Sequence, residues 1–169
     1  MPVIMEGRKE KVFMNMNKYI LLACFFLIFS SCRNDDGINA NRDFFPPVQV
    51  YASINILFPQ FADLNSPLGF AYIPEGYRGI VIHRTLDDRF VAFDRTCSFN
   101  TQNDCAFVSM DSSRMFLRCG QYDPDFKACC SSRFFADNGT VSGGDARIPL
   151  KQYFVQVQGT TLIITNSPM

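Results

Sequence analysis

From Val48 onward the chain alternates. Val48, Val50, Ala52, Ile54, Ile56 and Phe58 fall on one side of an extended backbone. A period of two with β-branched residues predicts a half-buried strand over 48–58. Residues 59–67 hold two prolines and read as a loop. A short strand over 70–73 is stopped by Pro74-Glu75-Gly76, a turn signal. Residues 79–84 (GIVIHR) have a nearly continuous apolar start, and 90–93 (FVAF) form the return strand across the turn Leu86-Asp87-Asp88-Arg89. A second hairpin pairs 106–109 with 115–118 about Asp111-Ser112-Ser113. Residues 120–127 are acidic, carry Pro124 and read as an insertion. A short strand over 133–135 precedes Asn138-Gly139, a tight-turn pair. Residues 153–157 and 161–165 form a last hairpin about Gln158-Gly159. No helical period of useful length occurs after residue 31. The pattern predicts an all-β domain of short antiparallel strands, roughly 46–166.

The first part of the chain has a different character. Lys18 precedes an apolar run over 19–29, YILLACFFLIF. It falls short of the roughly 20 residues a transmembrane helix needs and fits the apolar core of a signal peptide. Residues 1–13 are too polar to belong to such a peptide, so a start at Met14 or Met16 fits the leader. The run ends in Phe29-Ser30-Ser31-Cys32, which resembles a bacterial lipobox and implies lipidation at Cys32. Leu21-Leu22-Ala23-Cys24 is a second such match, but with a much shorter apolar run before it. Arg33-Asn34-Asp35-Asp36 then resembles the surface-export signal of lipoproteins in the Bacteroidetes. The expected organisation is an extension and signal peptide over 1–31, a flexible tether over 32–45 and the β domain over 46–169. The expected location is the outer membrane of the cell envelope, reached through the lipid anchor and facing the periplasm or the surface.

Composition narrows the chemistry. Sixteen basic and sixteen acidic residues cancel, so the basic footprint of a nucleic-acid binder is absent. Apolar residues make up 47%, enough to fill a core, and 18 are Phe. There is one histidine, His83. Seven cysteines (Cys24, Cys32, Cys97, Cys105, Cys119, Cys129 and Cys130) imply an oxidising compartment or a metal site. No nucleophile–base pair and no phosphate loop stands out, so catalysis is not expected beyond a part in electron transfer. Asp87 and Asp88 sit in a turn and read as solvating it, and Asp94 follows a strand.

The order of signals in the second half resembles the cluster-binding half of a Rieske iron–sulfur domain. Cys97-Ser98-Phe99 stands where that family carries C-x-H. Cys119, followed after the insertion by Ser132-Arg133-Phe134, stands where it carries C-x-x-H-G-S-x-F. Asn138-Gly139, Gly143-Gly144 and Pro149-Leu150 follow in the family's order, then two final strands. The resemblance implies a Rieske-like antiparallel β-sandwich with a small cluster-type subdomain inserted between strands of a base subdomain. It also implies [2Fe–2S] binding and electron transfer to a redox or envelope partner.

The ligands depart from that pattern. A Rieske centre takes two cysteines and two histidines. Phe99 occupies the first histidine position, and His83 lies in neither motif. Besides scattered free thiols, which an oxidising compartment disfavours, two readings of the cysteines therefore stand side by side. In one, Cys97, Cys119, Cys129 and Cys130 supply thiolates to a non-standard [2Fe–2S] cluster or to zinc. In the other, disulfides staple a cluster-free interaction or structural domain. A bridge between Cys105 and Cys129 would then mirror the loop-linking bridge of some Rieske proteins, and Cys97 would pair with Cys119 or Cys130.

Overall fold

A computed structural model describes residues 44–122 and 125–168. The signal peptide, Cys24, Cys32, most of the tether and Pro124 lie outside the described residues. Among those described, no helix is long and apolar enough to cross a membrane.

The expectation of an all-β domain holds. Strands β1 (Tyr51–Asn55), β2 (Phe70–Ile73), β3 (Ile80–Arg84) and β4 (Phe90–Asp94) are followed by β5 (Val108–Met110), β6 (Phe116–Tyr122), β7 (Phe126–Phe135) and β8 (Val141–Gly143). Strands β9 (Gln152–Gln158) and β10 (Thr161–Thr165) close the chain. They form two antiparallel sheets, one of six strands in the order β1-β10-β9-β4-β3-β2 and one of four in the order β5-β6-β7-β8. The small sheet is thus an insertion between β4 and β9 of the large one. The terminal hairpin returns to the large sheet, where β1 pairs with β10 from Tyr51↔Thr165 to Asn55↔Thr161.

The patterning accounts for the layering. β3 reads Ile-Val-Ile-His-Arg, and its first four residues are buried because the large sheet is covered on both faces at this strand. Ile80 and Ile82 join a cluster with Val50, Ile54, Leu162 and Ile164. Val81, between them, faces the other way and packs with Phe93, Val108, Leu117 and Phe134, which tie the small sheet to the large one. Successive residues of a strand point to opposite faces, so one short strand serves both cores.

Four features differ from expectation. β1 stops at Asn55, because Phe58 turns back to donate its N–H to the Asn55 carbonyl at 3.1 Å. The expected loop after it is a 3-10 helix, Pro59–Asn65, with Pro at its start and Leu64 buried. Proline's fixed φ suits a first helical position, and a helix this short leaves no apolar period to read. The expected insertion over 120–127 lies in the tip of a long hairpin, since β6 runs on to Tyr122 and β7 begins at Phe126. Phe45, expected in the tether, is buried.

Candidate metal centre

The small sheet carries an irregularity that builds the site. On β6 and β7, Arg118 pairs with Arg133 and Gly120 pairs with Ala128. One residue of β6, Cys119, therefore stands opposite four of β7, from Cys129 to Ser132. A bulge of this kind bends its strand and re-aims side chains. Cys130 turns inward toward Cys119, and Cys129 is free to reach the loop before β5. Gly120 makes the tight approach possible. Its φ is +138°, and a Cβ there would lie 2.2 Å from the Lys127 carbonyl oxygen. Gly144, with φ +89°, lets the far strand close on the bulge in the same way, since its Cβ would meet the Ser131 carbonyl oxygen at 2.1 Å.

Cys97 arrives from the large sheet. Its N–H donates to the Ala106 carbonyl at 2.9 Å, next to an isolated bridge between Thr96 and Phe107. The segment is clamped by Asp94, whose carboxylate is fully buried. One oxygen accepts the Thr96 N–H at 2.9 Å and the Thr96 hydroxyl at 2.5 Å. The other accepts the Tyr77 N–H at 2.7 Å and the Tyr153 hydroxyl at 2.8 Å. Burial, with the adjacent Asp94 charge, pushes the Tyr153 phenol well above its ordinary range and keeps it a donor. Asp94 is thus a structural anchor of the first cysteine segment, a role the sequence pattern did not reveal.

The result is a triad. The Sγ atoms of Cys97, Cys119 and Cys130 all lie within 4.8 Å of one another, and those of Cys97 and Cys130 are 3.7 Å apart. Cys97 and Cys119 are buried and Cys130 is half-buried. The Cys130 thiol is 3.1 Å from the Ser132 hydroxyl oxygen, which accepts the Ala146 N–H at 3.0 Å. Ser132 is itself buried and fixes the orientation of Cys130. The Cys119 thiol hydrogen-bonds Cys97 and, helped by the Phe99 backbone, Cys130 and Ser132, brings Cys97 down to about 7 against the upward push of burial. Cys119 moves the other way, raised by the same contact with Cys97 and by burial. Of these two, Cys97 is therefore the first to become a thiolate, the form that ligates metal.

Cys129 does not belong to this group. It is bonded to Cys105, with Cα atoms 5.5 Å apart and a separation of 24 positions along the chain. The pairing implied by the family resemblance is present, and the set of four thiolates becomes three because a disulfide sulfur carries no ligating charge. His83 stands apart as well. It is buried on β3 with Nε2 3.3 Å from Asp137 Oδ1. Phe99, at the first histidine position, is partly exposed.

Among the described residues the cysteine triad is the one group of three or more His, Cys, Asp or Glu side chains placed to hold a metal ion. The donor set does not fit a cluster held by two cysteines and two histidines, because no histidine lies in it. It does fit a single soft ion. Metal–sulfur bonds of about 2.3 Å in a tetrahedron place sulfurs about 3.8 Å apart, and the Cys97–Cys130 separation is already 3.7 Å. A fourth position is left for an external donor.

No family model matches the chain, and no curated protein does. Solved structures similar to it include the cyanobacterial plasma membrane Rieske protein PetC3 from Synechocystis PCC 6803, at 22% identity and a TM-score of 0.48, covering 68% of this chain and 98% of that one. Another is a chain from the complex of reduced oxygenase and oxidized ferredoxin in carbazole 1,9a-dioxygenase. It is 15% identical with a TM-score of 0.47, and the match covers 72% of this chain and 97% of that one.

Proposed function

We propose that this protein is a lipid-anchored metal-binding domain of the bacterial cell envelope, with a Rieske-like frame and a three-thiolate centre in place of a two-histidine cluster. Cys97, Cys119 and Cys130 hold one thiophilic ion, iron or zinc. The observation that carries this is the convergence of three sulfurs within 4.8 Å from three separate segments. Iron would make the domain an electron carrier, the role that the family resemblance implies for a [2Fe–2S] cluster. Zinc has no redox chemistry and would make the centre structural. The Cys105–Cys129 bond suits the oxidising compartment to which the leader over 1–31 would send the chain. Cys32 would carry the lipid.

A second reading rests on the same sulfurs. Cys97 and Cys130 lie close enough that a small movement joins them as a disulfide, giving a cluster-free, doubly stapled interaction domain.

Metal and sulfide analysis with a visible spectrum separates the two. The full chain is purified anaerobically in detergent from a host supplied with iron and zinc. A single metal ion per chain, lost in Cys97→Ser and in Cys119→Ser, supports the metal centre. A colourless, metal-free, folded chain with Cys97 and Cys130 bonded replaces it with the second reading.

A further inference from the structure

The outer face of the small sheet carries a feature the metal centre does not use. Arg118 on β6 and Arg133 on β7 are directly opposite each other in register. Like charges in that position repel and destabilise a strand pair. Among the described residues neither guanidinium has a carboxylate within ion-pair distance. Instead each is held by an aromatic ring. Arg118 stacks on Phe126 at 4.1 Å from the ring centre, and Arg133 on Phe116 at 4.6 Å. Each stack holds its guanidinium without neutralising it.

Space is kept beside them. The next partner of Arg133 across the sheet is Gly143, where an added Cβ would meet nothing within 4 Å. Arg118, Arg133, Ser131, Asp111, Gly143 and Gly144 line an open pocket of about 320 Å³. Asp111 is the one acidic residue in that lining, and its Oδ1 is taken by the Ser113 N–H at 3.0 Å and hydroxyl at 2.6 Å. Asp145, nearby, is engaged by the Ser131 N–H at 2.9 Å and hydroxyl at 2.7 Å.

We infer that this pocket binds a phosphate-type oxyanion between Arg118 and Arg133. Two planar forks that line one pocket can each donate to oxygens of a tetrahedral group bound there, and the anion would relieve the repulsion between them. A free phosphate and the phosphate of a lipid headgroup share this chemistry.

The test is calorimetric titration of the full chain in detergent, at constant ionic strength set with chloride. The probes are inorganic phosphate and short-chain dihexanoyl phosphatidic acid. Saturable binding of at least one is expected. The probe that binds more tightly identifies the source, a free phosphate or a lipid headgroup. Replacing both arginines (Arg118→Gln with Arg133→Gln) should weaken it by about tenfold or more. Gly143→Val keeps both charges and fills the space beside Arg133, so it should weaken binding too. Asp111→Asn removes the opposing charge and should tighten it. Heats no larger than those of chloride for both probes would overturn the inference, as would binding unchanged in a folded double-arginine variant.

Discussion

Cys97 and Cys130 are separated by 33 positions in the chain, yet their sulfurs lie 3.7 Å apart. The contact joins the end of a strand in the large sheet to a bulge in the small one, and Cys119 completes it from the facing strand. Ser132 holds Cys130 in place without needing to touch a metal ion. Ser132→Ala should leave one bound ion but weaken it by about 10–100-fold, the usual effect of losing a group that orients a ligand. Competition with a chelator measures this. Unchanged affinity would remove Ser132 from the site.

The Cys105–Cys129 bond links the loop after Cys97 to the strand carrying Cys130. Closing a loop of this length removes about 3 kcal/mol of unfolded-chain entropy. The double replacement Cys105→Ser with Cys129→Ser should therefore lower unfolding free energy by about that amount. Urea denaturation of the two proteins provides the check.

Gly120 lets β6 meet β7 next to Cys119. An alanine there would need a backbone conformation costing about 1–3 kcal/mol, and its Cβ would still overlap the Lys127 carbonyl. Gly120→Ala should destabilise by more than the conformational cost alone and lose metal together with stability. A variant as stable as the parent would show that the bulge adapts.

Asp94 accepts four hydrogen bonds in a fully buried setting. Asp94→Ala strands those donors and should cost about 3 kcal/mol or more. Because Thr96 precedes Cys97, the same change should also speed alkylation of Cys97 in the metal-free chain. Loss of stability without faster alkylation would separate the anchor from the cysteine segment.

Burial lowers the pKa of His83, and Asp137 only partly offsets it. The folded chain therefore binds fewer protons at this residue than the unfolded chain once pH falls below about 6.5. The stability that His83 leaves intact at higher pH should decline from there until the folded imidazole itself takes a proton. His83→Gln should flatten that part of the stability–pH curve, read from urea midpoints. An unchanged slope would assign the acid sensitivity to other groups.

Much of the scaffold was legible along the chain. Alternation over 48–58, the apolar start of 79–84 and the turn pairs Asp87-Asp88 and Gln158-Gly159 each encode structure within a few residues; β3, β4, β9 and β10 lie where they predict, and β1 occupies the middle of its predicted stretch. The site was only half legible. The cysteines and the Cys105–Cys129 pairing could be named, but not which three sulfurs meet. That depends on how many residues of β7 face Cys119, and register across a bulge leaves no local period. Gly120 was the available clue, since an isolated glycine in a strand often marks a bulge or close backbone approach. Asp94 was equally hidden, because its partners Tyr77 and Tyr153 lie far from it in sequence.

X-ray absorption at the metal edge of the metal-loaded chain addresses the centre itself. One ion bound by Cys97, Cys119 and Cys130 predicts three sulfur neighbours at about 2.3 Å and no second metal nearby. A metal–metal distance in the spectrum, or a chain that takes up no metal with all three thiols reduced, would contradict it.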